Sequence, residues 1–405
     1  MGNFPIDGDT ATYGFNVPLS GPYGSEGKDE LRAYKLAVKH LNNGGGWVDT
    51  QFDDLSGDGV AGKQIDWVKA DTATDKKKAR ENARQLIERD NAIMISGGSS
   101  SSVAINVQDE CQKQKVVFMA CLTHSNDTTG ADCVRYGFRE MFDAYHTAAA
   151  LAPVLKSEYG TGKKFYQLYA DYTWGASVEQ SMRQFMTEQA NWSQVDSVAT
   201  PLGTKNYSSY LSDVSNSDAD VLMLDHYGLD LAKSLTQATE AGMKEDLTIV
   251  VPLYNRPMAK AAGSAISGVF GTVAWDSAID NEPSNQFTQA FKNEYNGRIP
   301  SGPAQLAYAQ TLQYSAAVER AGSFNPEKVI KELEDHQYNN IGMGSETMRK
   351  CDHQAQRAVP VVRGLPEDQI SKANYYEIVE LTPADKVTYG CNEGPAGKCD
   401  LGPYK

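Results

Sequence analysis

The chain holds no apolar run approaching the roughly 18 residues that a membrane-crossing helix needs. It also lacks the short sequences that mark common nucleotide and hydrolase chemistry. There is no G-x-x-x-x-G-K-[ST], no G-x-G-x-x-G after the first strand candidate and no H-E-x-x-H. No G-x-S-x-G stands at a strand–turn–helix junction. A hydrolase would need a nucleophile, a base and an orienting acid together, and no such set is evident, so the chain reads as a non-enzyme. Positive charge is scarce: 38 Lys and Arg face 52 Asp and Glu, a net charge of −14. That balance argues against nucleic acid or an anionic membrane surface as partner, because both select for basic patches.

Cysteines are few, six in all, and none is spaced C-x-x-C. Only Cys351-Asp352-His353 sets a cysteine beside a histidine, so no metal and no cofactor are expected. An even count without metal spacing suggests three disulfides formed in an oxidising compartment. Cys391 and Cys399 enclose a Gly/Pro-rich turn and are the easiest pair. Cys111, Cys121, Cys133 and Cys351 allow three pairings, and buried free thiols are the alternative. The start Met1-Gly2-Asn3-Phe4-Pro5 reads as a mature chain with an added Met, its signal peptide removed.

What the chain does have is rhythm. Short β-branched runs at 13–19, 65–70, 92–96, 116–121, 165–170, 221–225, 247–252 and 269–275 alternate with segments of helical period. In 29–42, Leu31, Tyr34, Val38 and Leu41 share a face; in 74–90, Ala79, Ala83, Leu86 and Ile87 do. Strand–helix alternation over 405 residues implies α/β architecture in two doubly wound parallel-sheet lobes. Breaks near 136–139, 268–276 and 341–348 suggest a three-crossing hinge. The lobes would be 1–138 with 271–342, and 139–270 with 343–405. Asp53 to Gly59 is a loose calcium-loop look-alike and reads as an acidic surface turn.

Gly97-Gly98-Ser99-Ser100-Ser101-Ser102 is the most informative stretch. It follows the apolar run 92–96 and precedes a helix-like run, 103–114. A strand ending in glycines and serines before a helix presents unpaired N–H groups and hydroxyls, an anion site suited to a carboxylate. A plain serine N-cap is the simpler reading of the same residues.

The opening 14–24, with its Ser20-Gly21-Pro22 turn and following helix, resembles the start of type I periplasmic solute-binding proteins. The branched-chain amino acid-binding family of ABC importers is the particular likeness. Further marks come in order: the Gly/Ser turn, Cys121-Leu122-Thr123-His124-Ser125-Asn126-Asp127, Phe138-Arg139, Asp171-Tyr172-Thr173-Trp174-Gly175 and Arg349 to Gln354. The resemblance spans roughly residues 12–365. It implies a hinged two-lobe clamp that binds one small solute in the cleft and presents it to membrane permease subunits. The clamp is expected to be monomeric and periplasmic, or otherwise extracytoplasmic. By resemblance, lobe 1 contributes Tyr23, Ser99, Ser100, Ser101, Thr123 and His124. Lobe 2 contributes Tyr172, Trp174, Asp225, His226, Tyr227 and Tyr254 with Asn255.

One departure bears on the ligand. Amino acid-binding members place an acidic residue after the later strand, where this chain reads Val251-Pro252-Leu253-Tyr254-Asn255-Arg256. Asp225 could substitute as the ammonium partner. Otherwise the aromatic set suits a urea or amide, an aromatic carboxylate or a quaternary amine. Open alternatives are that His124 caps a turn, that His226 and Tyr227 form a hydrogen-bonded pair behind the ligand, and that Arg256 meets a second carboxylate. Arg139 is expected at a hinge ion pair and His353 in a structural role. A sensor ectodomain of the same fold is the remaining class; with no membrane span after Lys405, a free binding protein is the better expectation.

Overall fold

A computed structural model describes residues 2–339 and 341–404. The chain ends Met1 and Lys405, on which the expectations about a leader and a following span bear, lie outside them. The chain divides into two compact units, residues 2–142, 279–357 and 389–404 in unit 1, and 143–278 and 358–388 in unit 2.

Unit 1 opens with β1 (Thr10–Val17), α1 (Gly24–Asn43), β2 (Gln64–Asp71), α2 (Lys76–Glu88), β3 (Ala92–Gly98), α3 (Ser101–Gln114), β4 (Val117–Cys121) and β5 (Gly137–Arg139). The strands form a parallel sheet in the order β2-β1-β3-β4-β5. Strands β3 and β4 are buried along their whole length, which explains their unbroken apolar sequences. On one face, Ala79, Ala83, Leu86 and Ile87 of α2 pack with Val103, Ala104 and Val107 of α3, as the 3.6-residue spacing predicts.

Unit 2 contains α4 (Ala144–Tyr159), β6 (Lys164–Ala170), α5 (Thr173–Ala190), β7 (Ser193–Thr200), α6 (Ser208–Ser215), β8 (Val221–Asp225), α7 (Gly228–Glu240), β9 (Thr248–Leu253), α8 (Arg256–Ala262) and β10 (Phe270–Thr272). The chain then adds α9 (Glu282–Glu294), α10 (Gly302–Ala321) and α11 (Pro326–Leu333) to unit 1. Helix α10 packs beside α1, and its Gln310 amide donates to Ser96 Oγ (2.5 Å) and the Met119 carbonyl (3.0 Å) inside the core. A small antiparallel sheet follows in unit 1: β11 (Gln337–Tyr338), β12 (Glu346–Met348) and β13 (Ala355–Gln356).

The last crossings differ from the expected hinge. Strands β14 (Val359–Gly364) and β15 (Tyr376–Thr382) join unit 2, followed by α12 (Ala384–Val387). They give a seven-stranded sheet, β15-β14-β10-β9-β8-β6-β7, antiparallel at its β14 and β15 edge. The chain therefore passes between units at 142/143, 278/279, 357/358 and 388/389, four times. The expected boundary at 138/139 falls later because β5 pairs with β4. The boundary at 342/343 falls later because Gln354 bridges to Arg139 in unit 1. Nor does the tail stay in lobe 2.

The tail returns to unit 1 through disulfides that sequence proximity did not reveal. Cys399 pairs with Cys133 and Cys391 with Cys351, with Cα separations of 5.6 and 5.9 Å. The local Cys391–Cys399 pair is not formed. Cys111 and Cys121 are buried free thiols, so two bridges replace the expected three. Arg135 reinforces the tail by donating to the Gly402 carbonyl at 2.6 and 3.1 Å.

Candidate functional site

Each parallel sheet has one switch point, where the chain first turns to one side and then to the other. In unit 1 it lies between β1 and β3, and in unit 2 between β6 and β8. Such points open a crevice at the carboxyl ends of the strands, where α/β proteins bind ligands. The expected site residues follow those strand ends: Tyr23 after β1, Ser99 and Ser100 after β3, Thr123 and His124 after β4, Tyr172 after β6 and Tyr227 after β8.

The helices that leave these strand ends share a second property. Helices α1, α3, α5 and α7 have N-caps Tyr23, Ser100, Tyr172 and Tyr227, and none carries a side-chain cap hydrogen bond. By contrast, α2, α4, α9 and α11 are capped by Asp75, Asp143, Asn281 and Asn325. Helices α6 and α10 also lack side-chain caps, but neither leaves a strand at a switch point. First-turn N–H groups without an internal acceptor, together with the helix dipole, favour an anion.

In unit 1 the four serines divide by their hydrogen-bond partners. Gly97 (φ 131°) lets β3 lie close against β1; a Cβ there would come within 2.2 Å of the Asn16 carbonyl oxygen. Ser99 then adopts φ 56° and its hydroxyl donates to both Glu30 carboxyl oxygens, at 2.8 and 3.0 Å. The Ser101 hydroxyl oxygen accepts the backbone N–H of His124 (3.2 Å) and of Ser125 (3.0 Å). Ser99 and Ser101 thus brace the loop from within. Ser100 and Ser102, with hydroxyls 3.3 Å apart, are the pair beside the open first turn of α3. Thr123 is fully buried, its hydroxyl 3.0 Å from that of Thr128. His124 sets its ring edge-on to Phe142 at 5.5 Å.

In unit 2 three aromatic rings form a chain: Tyr172 to Trp174 at 6.0 Å and Trp174 to Tyr227 at 5.8 Å. The Asn255 amide donates to the Tyr227 hydroxyl, and Asn255 Oδ1 caps α8 by accepting the Met258 N–H at 3.0 Å.

Three expected ligand residues are placed inward instead. Asp225 is fully buried and accepts from Gln167 Nε2 at 2.7 Å; burial raises its carboxyl well above the usual range. His226 is held between Thr200 Oγ1 and Ser234 Oγ, both at 2.9 Å, and burial lowers it to about 3. Tyr254 lies over Gly271 and donates its hydroxyl to the Val269 carbonyl at 2.8 Å; a Cβ on Gly271 would clash with the Tyr254 ring at 2.4 Å. Each residue stands at or just after a strand end, with these hydrogen-bond partners inside unit 2.

The charged residues weighed beside the site resolve similarly. Arg256 donates to the Ala373 carbonyl and lies over the Tyr375 ring, binding the 371–376 segment. Arg139 donates to Gln354 Oε1 and Thr129 Oγ1, each at 2.6 Å, and to the Ser125 carbonyl. His353 bonds the Gly137 carbonyl (2.9 Å) and Glu334 (3.2 Å) while stacked on Phe138, the structural role expected of it. Glu30 is the residue that sequence reasoning passed over. Its signal was a carboxylate four residues before Tyr34, on the apolar face of α1. Among the described residues no cluster could hold a metal ion, and no helix is long and apolar enough to cross a membrane.

A family model described as periplasmic binding protein matches residues 10–368. The chain belongs to this family, the type I periplasmic binding proteins of the branched-chain amino acid-binding class. A Leu/Ile/Val-binding protein homolog from Brucella abortus is 25% identical over 332 residues, 78% of each chain. A periplasmic binding protein from Burkholderia mallei superposes with a TM-score of 0.86 at 22% identity, covering 97% of this chain and 100% of the other. An ABC-transporter solute-binding protein from Rhodopseudomonas palustris, in complex with 3,4-dihydroxy benzoic acid, superposes with a TM-score of 0.79 at 18% identity, covering 92% and 96%.

Proposed function

We propose that this chain is the extracytoplasmic solute-binding component of an ABC importer. It acts as a monomer without catalysis, takes up a small carboxylate-bearing solute by hinge closure of its two lobes, and delivers it to a permease. The solute carboxylate is met by Ser100, Ser102 and the first turn of α3, and its body by Tyr172, Trp174 and Tyr227. Thr123, His124 and Tyr23 complete the lobe 1 half, with Ser99 and Ser101 bracing it. Ligand favours the closed form because only that form makes both sets of contacts.

The observation that carries this reading is the set of uncapped helix starts at both switch points, with an aromatic chain at one of them. The inward placement of Asp225 favours an aromatic carboxylate over an α-amino acid. A relative of this fold with a bound dihydroxybenzoate is consistent with that choice. A second reading, an amino acid ligand, is favoured by one feature: Asp171, exposed and adjacent to Tyr172, could meet an ammonium.

A thermal-shift panel tests it. Benzoate, 4-hydroxybenzoate, leucine, valine, urea and choline would each be added to the purified chain, since a ligand of the native state raises Tm by mass action. Shifts with the benzoates support the aromatic carboxylate. Shifts with leucine or valine alone turn attention to Asp171, and shifts with urea or choline alone overturn the carboxylate reading.

A further inference from the structure

The carboxyl of Glu30 lies directly behind the serine loop. It is fully buried on α1, and Ser99, in a left-handed conformation at φ 56°, donates its hydroxyl to both carboxyl oxygens. A non-glycine residue holds that backbone conformation only when its surroundings enforce it. Ser99 immediately precedes Ser100, the N-cap of α3. Glu30 therefore fixes the loop geometry and also decides whether a charge sits beneath it.

The groups facing Glu30 are mostly acidic or neutral. Asp29 adjoins it on α1 and raises it further, while Arg32 (2.8 Å) and Arg298 (3.8 Å) pair with Asp29. Cys121 at the end of β4 approaches it, with Tyr34 on α1; burial holds both well above their usual ranges, and Glu26 also raises the thiol. Burial pushes Glu30 up to about 8, against the Ser99 and Cys121 hydrogen bonds, which lower it.

We propose that Glu30 is a positioning residue that carries a proton at neutral pH, holds Ser99, and keeps the ground beneath the serine loop uncharged. Loss of that proton places a buried negative charge behind the carboxylate-binding turn and expels an anionic solute. This rests on the carboxylate reading of the preceding section. It makes solute retention sensitive to mild alkalinity through one side chain that does not itself touch the solute.

Two measurements decide it. Affinity for benzoate and for leucine would be followed from about pH 6.5 to about pH 9 in the wild type and in Glu30→Gln, which keeps an acceptor for Ser99 but has no proton to lose. In parallel, the side-chain carboxyl carbons of glutamate-labelled protein would be titrated by NMR, with Glu30→Gln assigning the resonance. The expected result is a protonated carboxyl at pH 6.5 that titrates in the alkaline range. Wild-type affinity for the bound acid then falls by about tenfold or more, and the Glu30→Gln profile is flat. A resonance already ionised at pH 6.5, a flat wild-type profile, or the same slope in Glu30→Gln overturns the proposal. If neither acid binds at any pH, the carboxylate reading fails, and the NMR titration alone upholds or overturns the neutral Glu30.

Discussion

The hydroxyl oxygen of Ser101 accepts the backbone N–H of His124 at 3.2 Å, tying the first turn of α3 to the segment after β4. It accepts the Ser125 N–H as well, at 3.0 Å. Ser101→Ala would leave both buried donors without this acceptor and should lower unfolding stability by about 1–3 kcal/mol. Ser100→Ala removes no such brace. Ser100 is buried, but among the described residues its hydroxyl has only the 3.3 Å contact with the Ser102 hydroxyl, so the change should cost less stability than Ser101→Ala while weakening carboxylate binding. Urea denaturation of the unliganded variants, beside titration calorimetry, separates the two roles.

Tyr172 is the least buried of the three rings in the aromatic chain. Tyr172→Ala should weaken binding of an aromatic acid by about tenfold or more, the worth of a stacked ring plus its buried area. Its unfolding midpoint should stay close to wild type. Unchanged affinity would remove Tyr172 from the site.

Asp225 and His226 give opposite pH signatures in unliganded stability. The native Asp225 carboxyl keeps a proton that the unfolded chain releases near pH 4. The stability it contributes is complete below about pH 4 and declines as pH rises toward its native value. Asp225→Asn should therefore gain on the wild type by about 1.4 kcal/mol per pH unit across that range. His226 is lowered to about 3, so its contribution is present above about pH 6.5 and is lost as pH falls toward 3. His226→Gln should blunt acid unfolding. Denaturation curves from pH 3 to 8 check both signs. Ligand affinity of Asp225→Asn should stay within about twofold of wild type; a larger loss would return Asp225 to the ammonium role.

Reduction of the two disulfides should free the 389–404 tail and lower stability by about 2–5 kcal/mol per bridge. Peptide mapping of the native protein should find Cys133 linked to Cys399 and Cys351 to Cys391, with Cys111 and Cys121 alkylated only after unfolding. A Cys391–Cys399 peptide would overturn the pairing.

Much of the site's placement was legible without coordinates. The apolar run 92–96 followed by glycines and serines gave the β3–α3 junction, and Asp171 to Gly175 gave the β6–α5 junction. Side-chain direction was not legible. Asp225, His226 and Tyr254 stand at or just after strand ends, yet are buried among partners from distant segments such as Gln167, Thr200 and Val269, which local sequence does not reveal. Strand β7 went unread because its sequence, SQVDSVAT, is that of a half-exposed polar edge. Strands β14 and β15 went unread because they add to the sheet antiparallel, outside the strand–helix rhythm.

The sequence by itself determined the α/β class, the strand–helix alternation and the loops that end at the switch points. These follow from hydrophobic period and from glycine and serine at strand ends, which act within a few residues. Tertiary structure alone decided which serines brace the loop, the burial of Glu30 and Asp225 that raises their carboxyls, and the cysteine pairing. Each depends on what a distant segment brings to the same place: Glu30 lies 69 residues before Ser99, and Cys133 lies 266 before Cys399. Burial, which sets a carboxyl's proton and a thiol's partner, is a property of the packed chain and not of its local sequence.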